Sequence, residues 1–378
     1  MITIDSEHAC LLELIKASLF DYFPIIPERV NWEKVFDVAK AQCIVPLVAS
    51  CVPLEHREKW LDLLFQSKAH FMQLLYEQKL LGDLLSESNI PFVILKGTAA
   101  AVYYPNPSLR TFGDIDFYVS DDLANYANRI LEENGYLSVF TNERHFEFAK
   151  NGMDFELHYR FSSQPYKDID NIIINGLNHA IEYKIGNSIF PGLPAYENGL
   201  VLLGHIMQHL HDTGIGFRQI IDWMMFVHKE LDDSAWIDKF KPLAVEAGLE
   251  KLAVTVTYMC KKWLGLPNTI TWCDDADKEL VDQLFVRVLD DGNFGRYRSP
   301  HEKVKNSMRK KGEFNYLQRA GIDNWSLAQK YAVFRPLAWL YQLLRYTFKG
   351  IIRILSGKKV FSEDINSMSL EELLKRLE

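Results

Sequence analysis

The chain has 378 residues, a formal charge of −8, 48% apolar residues and 13% aromatic residues. Such a length suits two or three domains, the apolar content excludes disorder over most of the chain, and the acidic balance argues against general nucleic-acid binding. Five cysteines (Cys10, Cys43, Cys51, Cys260 and Cys273), with no C-x-x-C pair or metal-ligand spacing, read as reduced thiols of a cytoplasmic protein.

The first residues, Met1 to Glu7, carry neither the basic stretch nor the apolar run of a secretory leader. Residues 6–20, 31–42 and 55–88 then show helical periodicity. In the last, Leu61, Leu64, Phe71, Leu74, Leu81 and Leu85 recur at core-like spacing. Residues 1–88 are therefore expected to form a helical layer beside a sheet.

Pro91 opens an apolar strand, Phe92 to Leu95, which runs through Lys96 into a Gly97-Thr98 turn. After a short helical stretch, a second apolar strand carries Asp114 and Asp116 on either side of Ile115. Side chains alternate along a strand, so both acids project from one face, about 7 Å apart. Two carboxylates this close repel each other and resist desolvation, and a divalent cation such as Mg²⁺ removes the conflict. The glycine-threonine turn offers backbone N–H groups and a hydroxyl to a phosphate. A carboxylate pair beside a phosphate cradle is the equipment of phosphoryl or nucleotidyl transfer.

Asp121-Asp122 can cap a helix that ends at Asn134-Gly135. Asn151-Gly152 between two alternating runs then marks a hairpin with a two-residue type I′ turn. That turn sets Lys150 opposite Met153, Phe148 opposite Phe155, Glu147 opposite Glu156 and His145 opposite His158. Phe146, Phe148, Phe155 and Leu157 form a core face, and His145, Glu147, Asp154, Glu156 and His158 share the other. A solvated surface is the ordinary reading of such a polar face, but two glutamates directly opposite each other call for a cation nearby.

These segments compose a core over 89–162, a small mixed sheet with helices behind it, and an α+β class for the whole chain. Residues 163–195, rich in Gly and Pro, are expected to be an irregular connection. Helical pattern returns over 196–299, broken near Thr213-Gly214, Gly248 and Pro267. The remainder, 300–378, is basic. Between 300 and 360 thirteen Lys or Arg stand against three acids, a local charge of +10 that leaves −18 elsewhere. Such asymmetry is an address for an anionic partner or a complement to the acidic remainder. A final helical run, Pro336 to Leu355, has three basic residues that exclude a transmembrane span, and it suits docking on a domain or lying on an anionic membrane. A short capped helix follows from Ser369 to Leu377.

The turn Leu95-Lys96-Gly97-Thr98 and the strand Gly113-Asp114-Ile115-Asp116-Phe117 resemble the nucleotidyltransferase superfamily, whose core is like the palm of DNA polymerase beta. The Leu-Lys-Gly form, Tyr104-Pro105 and the run from Arg110 to Asp116 are similar in particular to a bacterial family of uncharacterised nucleotidyltransferases. Thr98 replaces that superfamily's usual second Gly or Ser, and the gap to the acid pair is longer by about one helical turn. The resemblance implies a third acid on a later strand. Glu156 fits, because Phe155-Glu156-Leu157-His158-Tyr159 is similar to the family's acid-apolar-His-aromatic motif; Asp154 is the competitor, and Glu147 and His158 stand beside it. It further implies NTP as substrate, two Mg²⁺ ions on Asp114, Asp116 and Glu156, and an unidentified acceptor whose pocket the appended regions build. The competing reading keeps the fold as a catalytically silent nucleotide-binding or antitoxin-like module.

Lys96 and Arg110 can neutralise the triphosphate or balance the acids, Arg110 being the better placed, with Gly113 between it and the acid pair. His205 and His209 share one helical face. Zinc, a buried pair, or a pair facing nucleotide or acceptor all fit that spacing, and the metalloprotease H-E-x-x-H is absent because position 206 is isoleucine. A similar helix precedes Gly-x-Gly-x-Arg-x-x-x-Asp in the family. Here that element is Gly214 to Asp222, and Arg218 and Asp222 form either an intrahelical ion pair or a unit in which Asp222 aims Arg218 at the triphosphate.

Overall fold

The computed structural model describes residues 4–20, 22–141, 144–161, 169–212, 214–293, 331–341 and 368–378, with isolated positions at 318, 325, 327, 343 and 344. It is an α+β fold in which helices flank a seven-stranded mixed sheet. Helices α1 (Ser6–Leu19), α2 (Trp32–Ala41), α3 (Val45–Val48) and the long α4 (Glu58–Glu87) come first. The N-cap side chains are polar where expected: Asp5 accepts from His8 N, and Asn31 from Glu33 N and Lys34 N.

The core then runs β1 (Val93–Ile94), α5 (Gly97–Ala101), β2 (Ile115–Tyr118), α6 (Asp121–Glu133), β3 (Leu137–Thr141), β4 (His145–Lys150) and β5 (Met153–His158). This matches the order read from sequence. The strands lie in the order β3-β4-β5-β2-β1, followed by two further strands, so the acid-bearing β2 is central. It pairs antiparallel with β1 and parallel with β5. The hairpin has the expected register, with Glu147 opposite Glu156 and His145 opposite His158. Asn151 and Gly152 take φ of 53° and 75°, as a type I′ turn requires.

Residues 163–195 are not an irregular connection. Their described part holds α7 (Ile169–Asn178) and a hairpin, β6 (Ile181–Ile185) and β7 (Ser188–Gly192), and β7 joins the sheet beside β1. Pro191 and Gly192 obscured the strand, since proline removes a ladder donor. Gly192 is needed, because a Cβ there would lie 2.3 Å from the Tyr183 ring. The chain continues through α8 (Ala195–Asp212), α9 (Phe217–Glu230), α10 (Asp233–Ala235), α11 (Lys241–Glu246), α12 (Glu250–Met259), α13 (Lys278–Asp291) and α14 (Leu370–Leu377), the last capped by Ser369.

The sheet separates two apolar cores. On one face Ile94, Ile115 and Phe117 meet Phe71, Leu74, Leu81 and Leu85 of α4 and Ala124, Ala127 and Leu131 of α6. Residues of opposite parity, Val93, Leu95 and Tyr118, join the core built by α1, α8, α9, α12 and α13. Asp116 shares the parity of Tyr118, so alternation directs it toward the side of α8 and α9. The basic segment expected between Lys303 and Lys359 lies outside the described residues apart from a few positions, Arg335 among them. Among the described residues, no helix is long and apolar enough to cross a membrane. All five cysteines are free thiols.

Candidate active site

Parallel pairing sets Asp116 of β2 beside Glu156 of β5, and antiparallel pairing sets Glu147 of β4 on the far side of Glu156. Three acids on adjacent strands would repel one another. Histidines two positions along the same strands meet that charge. His145 Nε2 lies 2.9 Å from Glu147 Oε1, and His158 Nε2 lies 3.2 Å from Glu156 Oε2 and 2.8 Å from Asp116 Oδ1. Ligand atoms of Asp116, Glu156 and His158 fall within 4.8 Å of one another, as do those of His145, Glu147 and Glu156. Asp154 pairs with Ala149, is exposed, and belongs to neither group.

Lys96 enters the site from the turn after β1. Its Nζ is 2.7 Å from Asp116 Oδ1, and both side chains are buried. Its backbone sits at φ 47°, ψ −120°, a region disfavoured for any residue with a Cβ and costing on the order of 1–3 kcal/mol. Burial opposes the ionised form of Asp116, but Lys96 and His158 outweigh it and hold the carboxyl well below its usual range. Burial likewise opposes the charge on Lys96, which Asp116, Glu156 and Asp114 restore. For His158, burial and Lys96 favour the neutral ring, yet hydrogen bonds to Asp116 and Glu156 raise its pKa. Asp114 makes no hydrogen bond or ion pair to a cationic side chain among the described residues: the Asp116 charge, burial and Glu156 outweigh the pull of the Lys96 charge and push it up to about 6.

Arg110 and Asp222 form a buried bidentate pair, Nε to Oδ1 at 2.8 Å and Nη2 to Oδ2 at 2.7 Å, and the Tyr104 hydroxyl donates to the same Oδ1 at 2.7 Å. Asp222 thus grips Arg110 from the core, and its charge also favours the ionised form of Arg218 one turn away. Arg218 lines the cavity, and burial together with the Arg110 charge lowers its pKa. Thr98 is fully buried and donates to Gln78 Oε1 at 2.6 Å, so its hydroxyl is turned into α4 while Gly97 lines the cavity. Asn198 of α8 donates to the Ala99 carbonyl at 2.9 Å and fixes α5 against the helical side.

His205 and His209 present their Nε2 atoms 2.6 Å apart and line the same cavity. Burial, then His209 and Lys96, pushes the His205 pKa well below its ordinary value, so that ring is neutral. This cavity, of about 230 Å³, is lined by Lys96, Gly97, Asp114, Asp116, Glu156, Arg218 and their neighbours. Arg144, Arg160 and Gln208 also line it and were not read from the sequence, where nothing local distinguishes them from surface residues. A second cavity adjoins it, lined by His70, Phe112, Val139 and Met153, and the two share Gly113, Asp114, Glu147, Glu156 and Arg218. Asp114, Glu147 and Glu156 therefore stand where two chambers meet, and Asp116 lines the first.

Carboxylates with one imidazole nitrogen, beside an acid whose pKa its neighbours raise, make a donor set that could hold a divalent cation. These acids lie on paired central strands of a mixed sheet, next to a glycine turn. Residues 28–265 match the family described as uncharacterised nucleotidyltransferase, and the chain belongs to it. No match is found among curated proteins.

Proposed function

We propose that this nucleotidyltransferase moves an NMP unit from an NTP to an acceptor hydroxyl and releases pyrophosphate, with Asp114, Asp116 and Glu156 holding Mg²⁺. The observation that carries this reading is the position of Asp114 and Glu156 at the junction of two cavities, one for each substrate, with Asp116 lining the first. Bound Mg²⁺ would lower the pKa of the acceptor hydroxyl and neutralise charge on the leaving pyrophosphate. The Gly97 turn offers its amides to the β- and γ-phosphates, and Arg218 adds a planar fork suited to phosphate oxygens. Arg110 contributes positive field from its place on Asp222 rather than by direct contact. Glu156, half-buried and bordering both chambers, is placed to take the hydroxyl proton. The neutral His205 with His209 accepts or donates hydrogen bonds to whichever substrate fills the first chamber.

Pyrophosphate release from each of the four NTPs, with a panel of hydroxyl acceptors, tests the proposal. Asp114→Ala, Asp116→Ala and Glu156→Gln should each abolish release, while Asp154→Asn should keep most of it. Equal loss in Asp154→Asn and Glu156→Gln would reject the assignment of the third acid. Analogue binding without turnover of any NTP would favour a silent module.

A further inference from the structure

A site with three acids is ordinarily filled by two metal ions, but here the charge of one acid is already met from within the chain. Asp116 Oδ1 already receives Lys96 Nζ at 2.7 Å and His158 Nε2 at 2.8 Å, and His158 also reaches Glu156 at 3.2 Å. These are buried, close contacts, so the Asp116 charge is met from within the chain. The Lys96 backbone adds an independent observation. A lysine at φ 47° is held in a conformation that glycine would take without strain, and its side chain is what the position gains in exchange. Among the described residues Asp114 is the acid with no hydrogen-bonded cation, feeling Lys96 only through its charge.

We infer that Lys96 is a built-in cation occupying one of the two places that a two-metal centre would give to Mg²⁺, so that the site binds a single divalent ion on its Asp114 side. The inference rests on the metal-dependent transfer proposed above. It assigns Lys96 to the charge of Asp116 rather than to the triphosphate, and it makes the residue before the glycine turn a determinant of metal number.

The test is metal stoichiometry, which does not depend on turnover. The full chain is saturated with a non-hydrolysable triphosphate analogue and titrated with Mn²⁺, bound ion being counted by electron paramagnetic resonance after equilibrium dialysis. Wild type should bind one ion per chain in total, shared between the site and the bound analogue, and Lys96→Arg should also bind one. Lys96→Met and Lys96→Gly should each bind a second ion at least tenfold more tightly than wild type does. Lys96→Gly relieves the backbone strain and so guards against a result that reflects misfolding, which circular dichroism checks. Two ions in wild type, or one ion in a folded Lys96→Gly, would overturn the inference and leave metal-dependent transfer standing. No bound ion in wild type would remove the metal reading itself, and this inference with it.

Discussion

Arg110 and Asp222 lie 112 residues apart and meet in a two-pronged buried ion pair that joins the acid-bearing core to α9. Removing one partner strands the other charge away from water. Asp222→Ala should therefore cost about 3–5 kcal/mol of folding stability, with the Tyr104 hydroxyl losing its acceptor as well. Urea unfolding measures it. A cost below about 1 kcal/mol would mean that the pair is as weak as a surface bridge.

Arg218→Lys keeps the charge but loses the fork. It should weaken binding of a non-hydrolysable NTP about tenfold, which is roughly 1.4 kcal/mol. Calorimetric titration reads the affinity, and thermal melting should move little. Unchanged affinity would make Arg218 part of the scaffold alone.

Thr98→Val removes a hydroxyl that bonds Gln78 inside the protein rather than a ligand. The expected result is a stability loss of about 1 kcal/mol with NTP affinity intact. A large loss of affinity at unchanged stability would place the hydroxyl in the phosphate cradle after all.

Asp114 imposes a pH signature on the metal-free protein. Its pKa rises from 3.8 to about 6, so between those values the folded chain holds a proton that the unfolded chain releases. The stability contribution is complete below the lower value and disappears as pH rises through the upper one, by at most ~3 kcal/mol. Without metal, Asp114→Asn should melt higher than wild type above pH 6, and the difference should close near pH 4. Added Mg²⁺ should raise the wild-type melting temperature more at pH 8 than at pH 5, since the metal takes the place of the proton. Parallel melting curves at every pH would mean that Asp114 does not feel its neighbours.

The acidic strand, the hairpin and its register were legible because each rests on local rules: alternation along β2, and a two-residue turn at Asn151-Gly152 that pairs Glu147 with Glu156. The match of Asp116 with Glu156 was not, since it depends on parallel pairing between distant segments. Long-range pairing also explains why the bond from Arg110 to Asp222 was not read: an i, i+4 neighbour is visible in sequence and a partner 112 residues away is not. Likewise, the Thr98 hydroxyl was read as free for phosphate because Gln78 comes from α4. The β6–β7 hairpin was hidden by Pro191, whose usual meaning is the end of a strand.

The acids and the helices that face them differ in how freely they can yield. β2 is hydrogen-bonded on both sides at the middle of seven strands, so its amides should be among the last to exchange with deuterated solvent. Asp116 and Glu156 therefore work as a fixed anvil. His205, His209 and Arg218 come from α8 and from the start of α9, across the break at Gly214 and Gly216. Under the proposed function, accommodation of substrates of different shape would fall to that side, where a small rotation of α8 would resize the chamber without disturbing a single bond of the central ladder.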